Sequence, residues 1–316
     1  MRIIAPDPNQ QDKLAWAALY WGGELGPAGF KRLLARFGSA RGALEASEDE
    51  LAAPSLRLEP QQIETIREEA PALLERLPAE LEALENEEVA LVCAFEDGYP
   101  PLLREAQNPP PVLCVAGDIL PEDDPALAIV GTREPTDDGS RAAREIARAC
   151  AERGITVVSG LALGIDTAAH RGALAGGGRT LAVLGSGIRH LHPRRNRRLA
   201  RTIHERGALV SELPPDARPS RARLMARNRL TAALSRGVLA VETRQRGGTL
   251  QTVRDAWAQG RLVFALDWQA DKPQAEGTRA LIAQGAEPIL GLDAVDLIEE
   301  MLRAHQHPQP DQPGLF

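Results

Sequence analysis

Three stretches of small residues carry the candidate chemistry of this chain: Gly131-Thr132-Arg133, Ser159-Gly160-Leu161-Ala162-Leu163-Gly164 and Gly185-Ser186-Gly187. Each follows an apolar run at once, and together they offer backbone amides, hydroxyls and a guanidinium with little bulk to hold a ligand off. Those groups suit an anion, and phosphate above all. Arginines gather around them. The densest basic stretch is His190-Leu191-His192-Pro193-Arg194-Arg195-Asn196-Arg197-Arg198, followed by Arg221-Ala222-Arg223 and Arg227-Asn228-Arg229. Four arginines near a strand end fit phosphate contacts, with a solvated helix start as the plain alternative. Asp166 and His170 stand four apart on a helix and share a face, so they read as an acid–base pair or, preferably, as a structural brace behind a loop. Ser159 sits in Ser-Gly-Leu, not in a Gly-x-Ser-x-Gly elbow, which leaves a hydrolase reading weak. No nucleophile with a partner base and no metal-ligand spacing is recognisable. The expectation is a binding protein with no catalytic residue, cofactor or metal.

These turns need strands and helices to hold them. Apolar runs at Ala126–Val130, Ile155–Ser159, Thr180–Leu184 and Ala208–Ser211 alternate with helical patterns such as Ser140–Arg153. Strand, small-residue turn and amphipathic helix in repetition predict an α/β fold with a doubly wound, mainly parallel sheet. In such sheets ligands bind beyond the carboxyl ends of the strands. The three turns therefore predict one phosphate-lined groove. Val238–Val241, Leu262–Leu266 and Pro288–Leu290 extend the pattern, with helices over Gly247–Gln259 and Ala294–Leu302.

Residues 1–85 read as a small all-helical domain. Leu14, Ala15, Ala18 and Leu19 make one apolar face and Phe30, Leu33, Leu34 and Phe37 another, while Ser39 and Ser47 cap short helices. Short helices with glycine turns suit a helix-hairpin-helix or sterile-alpha-motif-like unit or an ordinary bundle. Residues 86–303 form the sheet domain, with short proline-flanked strands at Val89–Phe95 and Val112–Val115. Residues 304–316, rich in proline and glutamine, are expected to lack structure.

A chain of 316 residues with 43% hydrophobic residues can bury a large core. No apolar run approaches the roughly 20 residues of a membrane span, and the polar start does not resemble a signal peptide. Cys93, Cys114 and Cys150 sit in apolar contexts as core residues of a reducing compartment, so a cytoplasmic protein is expected. The net charge of −7 is unevenly spread. Residues 1–125 hold 10 basic and 24 acidic side chains, whereas residues 131–236 hold 20 arginines, no lysine and 9 carboxylates. A local excess of positive charge inside an acidic protein is the footprint of a polyanion ligand.

The motifs in order resemble the DprA/Smf family. They are Val130-Gly-Thr-Arg133, Ser159-Gly-Leu-Ala-Leu-Gly-Ile-Asp166 with Ala169-His170, and Gly177-Gly-Arg-Thr-Leu-Ala-Val-Leu184. Ser211-Glu-Leu-Pro214, Arg227-Asn-Arg229, Gly248-Thr-Leu250 and Gly260-Arg-Leu-Val-Phe264 complete the series. The resemblance covers about residues 90–290, and the helical start is similar to that family's as well. It implies an extended Rossmann-like fold that binds and protects single-stranded DNA, forms a homodimer, and loads RecA recombinase during natural transformation, without catalysis. It places DNA backbone on Thr132, Arg133, Ser159, Gly160, Gly164 and Arg227, with Asn228 and Arg229 supporting the pocket. Gly185, Ser186 and Gly187 are expected to approach a base or sugar. His192 and Arg195 join the interface.

The chain departs from the family pattern at several points. His192 stands where an aromatic is usual before the proline, Met225-Ala226 replaces Phe-Pro, and Arg279 replaces asparagine. Ala-Leu-Asp-Trp follows Phe264 where the family ends in proline-glycine, and the winged helix often found at the family's C-terminus is not expected in this sequence. Gln312-Pro-Gly-Leu-Phe316 resembles the peptide by which bacterial proteins dock on the replication sliding clamp, although a proline-rich end of no function is preferred. Two enzymes compete with the binding reading. A phosphoribohydrolase would need a catalytic glutamate after its glycine motif, and Arg246-Gly-Gly-Thr-Leu-Gln-Thr252 lacks one. A dehydrogenase would need Gly-x-Gly-x-x-Gly after the first strand.

Overall fold

The computed structural model describes residues 8–245, 247–268 and 273–305. The described residues divide into two compact units, 8–99 with 107–114, and 100–106 with those from 115 to 305. The segment 89–99 thus groups with the helices that precede it.

The first unit holds α1 (Pro8–Ala17), α2 (Pro27–Phe37), α3 (Ala40–Leu44), α4 (Glu48–Leu51), α5 (Pro60–Asn86) and β1 (Val89–Cys93). Its stops and starts follow the sequence signals. Gly38 ends α2 at φ 76°, a conformation open to glycine at little cost. Ser39 accepts from Gly42 N at 3.0 Å, and Ser47 forms a capping box with Glu50. The first helix finishes in a π-helical turn, Ala18–Gly22, with Gly23 as its C-cap. Gly22 lies so close to Ala70 on α5 that a Cβ there would stand 2.5 Å from the Ala70 Cα. The two helices need that glycine to touch. Trp16 meets Phe30 and Phe95 edge-on at 5.0 and 4.9 Å between ring centroids.

The second unit is the sheet domain. After α6 (Pro101–Arg104) and the end of β2 (Val112–Gly117) come β3 (Ala126–Val130), α7 (Asp137–Glu152), β4 (Thr156–Ser159), α8 (Ile165–Ala175) and β5 (Thr180–Val183). Next are α9 (Arg197–Arg206), β6 (Ala208–Ser211), α10 (Arg221–Ala226), α11 (Asn228–Ala233) and β7 (Gly237–Ala240). α12 (Gly248–Ala258), β8 (Leu262–Leu266), α13 (Glu276–Ala283), β9 (Glu287–Ile289) and α14 (Val295–Ala304) close it.

Strands of this unit run β6-β5-β4-β3-β7-β8-β9, and each neighbour in that order pairs in parallel with the next. The chain steps outward from β3 to β6, then returns to lay β7 against β3. Reversal of strand order between β3 and β7 opens a crevice at their carboxyl ends, the switch point where such sheets bind ligands. Alternation along the strands sends Leu127, Ile129, Val157, Leu239, Val241 and Phe264 into one core with α7, α8 and α14. α12 packs against β7, β8 and α11. The expected doubly wound parallel sheet is the observed one. The expected unstructured tail, with its clamp peptide Gln312–Phe316, lies outside the described residues, except that Ala304 closes α14 and His305 follows it.

Candidate functional site

A cavity of about 800 Å³ occupies the switch point. Residues following β3, β4 and β7 line it, among them Thr132, Arg133, Gly160 and Thr243, and α10, α11 and the start of α12 complete the wall. Arg133 is exposed and its side chain makes no hydrogen bond or ion pair among the described residues. Arg221 and Arg244 are exposed at the same cavity, which also holds the carboxylates of Glu134 and Asp166.

The turn that carries Arg133 is held from β7. Thr132 N donates to Glu242 O at 2.7 Å. The Glu242 side chain, 0% exposed, accepts from Thr136 N at 2.9 Å and from Thr136 Oγ1 at 2.6 Å. Thr136 in turn caps α7 through Gly139 N at 3.0 Å. A carboxylate at a helix N-terminus is favoured by the helix dipole. Gly139 makes room for it, because a Cβ there would fall inside the Glu242 carboxylate.

The second turn is tied down by its own helix. Asp166 Oδ2 accepts from Gly160 N at 3.2 Å and Ala162 N at 3.3 Å. Burial pushes the Asp166 carboxyl above its usual range, while Arg227, these amides and Arg133 pull it back. His170 Nε2 accepts from Leu161 N at 3.3 Å, and its Nδ1 lies 2.7 Å from Thr180 Oγ1, which donates to Val157 O. The ring is therefore neutral with its proton on Nδ1. Burial first, and Arg227 second, lower its pKa to about 3. Asp166 and His170 thus brace the loop. Ser159 is fully buried and donates to Ile129 O at 2.7 Å, joining β4 to β3; its hydroxyl is spent inside the sheet. Gly164 has φ 82°, and a Cβ on it would overlap Thr132 O, so glycine lets the first two turns touch.

Arg227 was expected on a DNA phosphate. The structure makes it a strut: it is 5% exposed, and its Nη1 donates to Gly160 O at 2.6 Å and to Val183 O. It thereby joins the ends of β4 and β5 from beneath the cavity wall. Asn228 donates from Nδ2 to Gly248 O at 3.1 Å and fixes the start of α12. Arg229 pairs with Glu212 and is not among the cavity residues.

The third turn does not join the cavity. A Cβ on Gly185 would stand 2.7 Å from the Leu224 Cα, and one on Gly187 would overlap the carbonyls of Pro214 and Pro215. Ser186 is 1% exposed and its carbonyl accepts from Ser211 Oγ at 2.8 Å. The small residues there admit this chain's own segment 214–224, in place of a base or sugar. The reason is topological: β5 lies two strands away from β3, beyond the switch point. His192 does line the cavity. Arg195 is exposed in the segment that Asn196 anchors, by donating from Nδ2 to Leu161 O and Thr167 Oγ1, both at 2.8 Å.

Several participants were missed. Glu242 and Asn196 act through bonds to distant backbone, and nothing in their sequence neighbourhoods announces it. Arg244 carried no signal, whereas Arg221 and Thr249 stood in stretches already singled out, Arg221-Ala222-Arg223 and Gly248-Thr249-Leu250, without being assigned to the site. Among the described residues, no group of His, Cys, Asp or Glu is placed to hold a metal ion, and no helix is long and apolar enough to cross a membrane.

Comparison with known proteins gives this site a family. Residues 90–302 match the family described as DNA recombination-mediator protein A, and residues 10–83 match a DprA-like N-terminal HHH domain. Protein Smf of Escherichia coli K12 is 42% identical over 231 residues, 73% of this chain and 61% of that protein. The match to Protein Smf of Synechocystis takes in 54% of its length, so the chain spans little more than half of these relatives. DNA processing protein DprA of Bacillus subtilis is 35% identical over 72% of this chain and 76% of its own. The X-ray structure of DprA from Streptococcus pneumoniae superposes with a TM-score of 0.75 at 26% identity, covering 93% of this chain and 98% of that one. Helicobacter pylori DNA processing protein A, whose structure is described for its single-stranded DNA binding mode, superposes with a TM-score of 0.61 at 27% identity over 69% of this chain and 98% of its own. On the extent of these matches, the chain belongs to the DNA recombination-mediator protein A family, the DprA/Smf proteins.

Proposed function

We propose that this protein binds single-stranded DNA in the switch-point cavity, reading its backbone and not its sequence. Arg133 carries the reading: an exposed guanidinium without a partner among the described residues, beside the Thr132 hydroxyl, at the ligand-binding edge of the sheet. The single-stranded DNA binding mode described for the Helicobacter pylori relative supports it. No Phe, Tyr or Trp is among the cavity residues, which leaves the His192 imidazole as the one ring there for stacking, so the phosphates carry most of the affinity. In the fuller reading the protein shields incoming strands and loads RecA recombinase onto them during natural transformation, as a cytoplasmic homodimer. It works by binding alone, without a catalytic step. The donors at the cavity suit that, and Asp166, the buried carboxylate there, already serves two loop amides.

The test is binding of a fluorescent oligothymidine, single-stranded and duplex, to the wild type and to Arg133→Ala across a salt series. Single strands should be strongly preferred. Arg133→Ala should weaken binding at every salt concentration and lower the slope of log K against log salt by about 0.7, one phosphate's share on a single strand. Equal binding of duplex, or no change in Arg133→Ala, overturns the reading. A protein that binds single strands yet does not hasten RecA assembly on them would lose the loading half of it.

A further inference from the structure

Helix N-termini meet the cavity from several sides, and they are not equally open. α7 is capped by Thr136, and its end is filled by the Glu242 carboxylate. α8 begins beside Asp166, whose carboxylate already sits at that turn. α10 is short and capped by Ser220. α12 differs: its N-cap is Gly247, no side chain caps it, and no acidic residue lies in its first turn. Gly247, Gly248 and Thr249 all line the cavity, and the first amides of a helix lack partners within it.

The glycines separate in the same way. A Cβ on Gly131 would stand 2.5 Å from the Ile165 side chain, and one on Gly160 would overlap Arg227, so the packing of the chain demands both. At Gly248 a Cβ would stand 3.5 Å from Met225 Sδ and 3.6 Å from Asn228 Nδ2, ordinary contacts, and at Gly247 it would meet nothing within 4 Å. Packing does not explain these two. Close approach of something from the cavity does.

An independent observation lies on the neighbouring helix. Asn228 bonds to Gly248 O, so its face of α11 looks at the start of α12. Thr231, three residues on, shares that face. It is 2% exposed, lines the cavity, and its Oγ1 is buried without a hydrogen-bond partner. Arg227 Nε, from a second buried residue at the cavity, also has none. Buried donors ordinarily find acceptors, and here the described residues supply none.

We infer that the N-terminus of α12 is a second anion subsite of the cavity, built by Gly247, Gly248 and Thr249, which seats a phosphate of the bound strand apart from the one on Thr132 and Arg133. The inference rests on the single-strand reading above and adds to it the function of the Gly248-Thr249-Leu250 motif.

Gly248→Asp tests it. The new side chain fits beside Met225 and Asn228, and an acid in the first turn favours the helix, much as Glu242 does at α7. It occupies the subsite with the chain's own charge. Ala258→Asp, exposed at the other end of α12 and roughly 15 Å away, makes the same change of charge as a control. Both variants and the wild type are titrated with oligothymidine bearing either a 5′-hydroxyl or a 5′-phosphate, alongside thermal unfolding. Gly248→Asp should lose about tenfold or more in affinity and about 0.7 in salt slope, with an unfolding midpoint no lower than wild type, while Ala258→Asp binds nearly as the wild type. Equal loss with both oligonucleotides places an internal phosphodiester in the subsite, and loss confined to the phosphorylated one places the terminal phosphate there. Should Gly248→Asp match Ala258→Asp while the wild type binds single strands, the subsite is refuted and the function stands. A wild type that binds no single strand brings down both.

Discussion

Replacing Arg227 by methionine should damage the fold before it damages DNA contacts. Methionine keeps most of the volume and removes the charge. What is lost is the Nη1 bridge to the carbonyls of Gly160 and Val183, together with the nearby cation that moderates buried Asp166. Removing one partner from a buried charge network costs about 3–5 kcal/mol. At about 2–4 °C per kcal/mol for a domain of this size, the midpoint of thermal unfolding should fall by roughly 6–20 °C. The loss should depend on pH with a definite sign. Burial already raises the Asp166 pKa in the fold, and without Arg227 it rises further. Ionising the carboxyl then costs the folded state more, so the deficit should grow as pH rises and shrink as Asp166 takes up a proton. Far-UV circular dichroism melts of Arg227→Met and Arg133→Met at several pH values measure this. Arg133→Met should melt with the wild type and bind DNA poorly. An Arg227→Met protein that melts within about 2 °C of wild type, or whose deficit shrinks as pH rises, refutes the strut.

Two further outcomes follow from buried groups. The His170 pKa falls from 6.5 to about 3 on folding, so the unfolded chain binds the extra proton between those values. Stability from this group should be complete above about pH 6.5 and decline as pH falls toward about 3, by up to about 1.4 kcal/mol per unit. His170→Asn should flatten that slope in urea unfolding, and an unchanged slope would contradict the neutral buried ring. Gly139→Ala drives a Cβ into the Glu242 carboxylate and should cost about 1–3 kcal/mol. In a Glu242→Ala background most of that cost should vanish. Additive losses across the double-mutant cycle would show that the two residues do not meet.

Much of this protein was legible in its sequence, because apolar runs, capping residues and glycine stops are local signals. The runs at Ala126–Val130 and Thr180–Leu184 became strands, Ser39 and Ser47 became caps, and the alternation of strand and helix dictated a parallel sheet. The family motifs also placed Thr132, Arg133, Gly160, His192 and Asn228 at one cavity. What the sequence left open was strand order. Only the tertiary structure decided that β7 returns beside β3, which puts the crevice there and leaves the turn at Gly185–Gly187 to pack against the chain itself. Burial likewise divided the arginines, since residue type does not reveal where a guanidinium ends. Arg133 stayed outside at the cavity, Arg227 went beneath it to hold two strand ends, and Arg229 went to Glu212. Glu242 shows the limit most plainly: its carboxylate works on Thr136, more than a hundred residues away along the chain, and only adjacent parallel strands bring the two together.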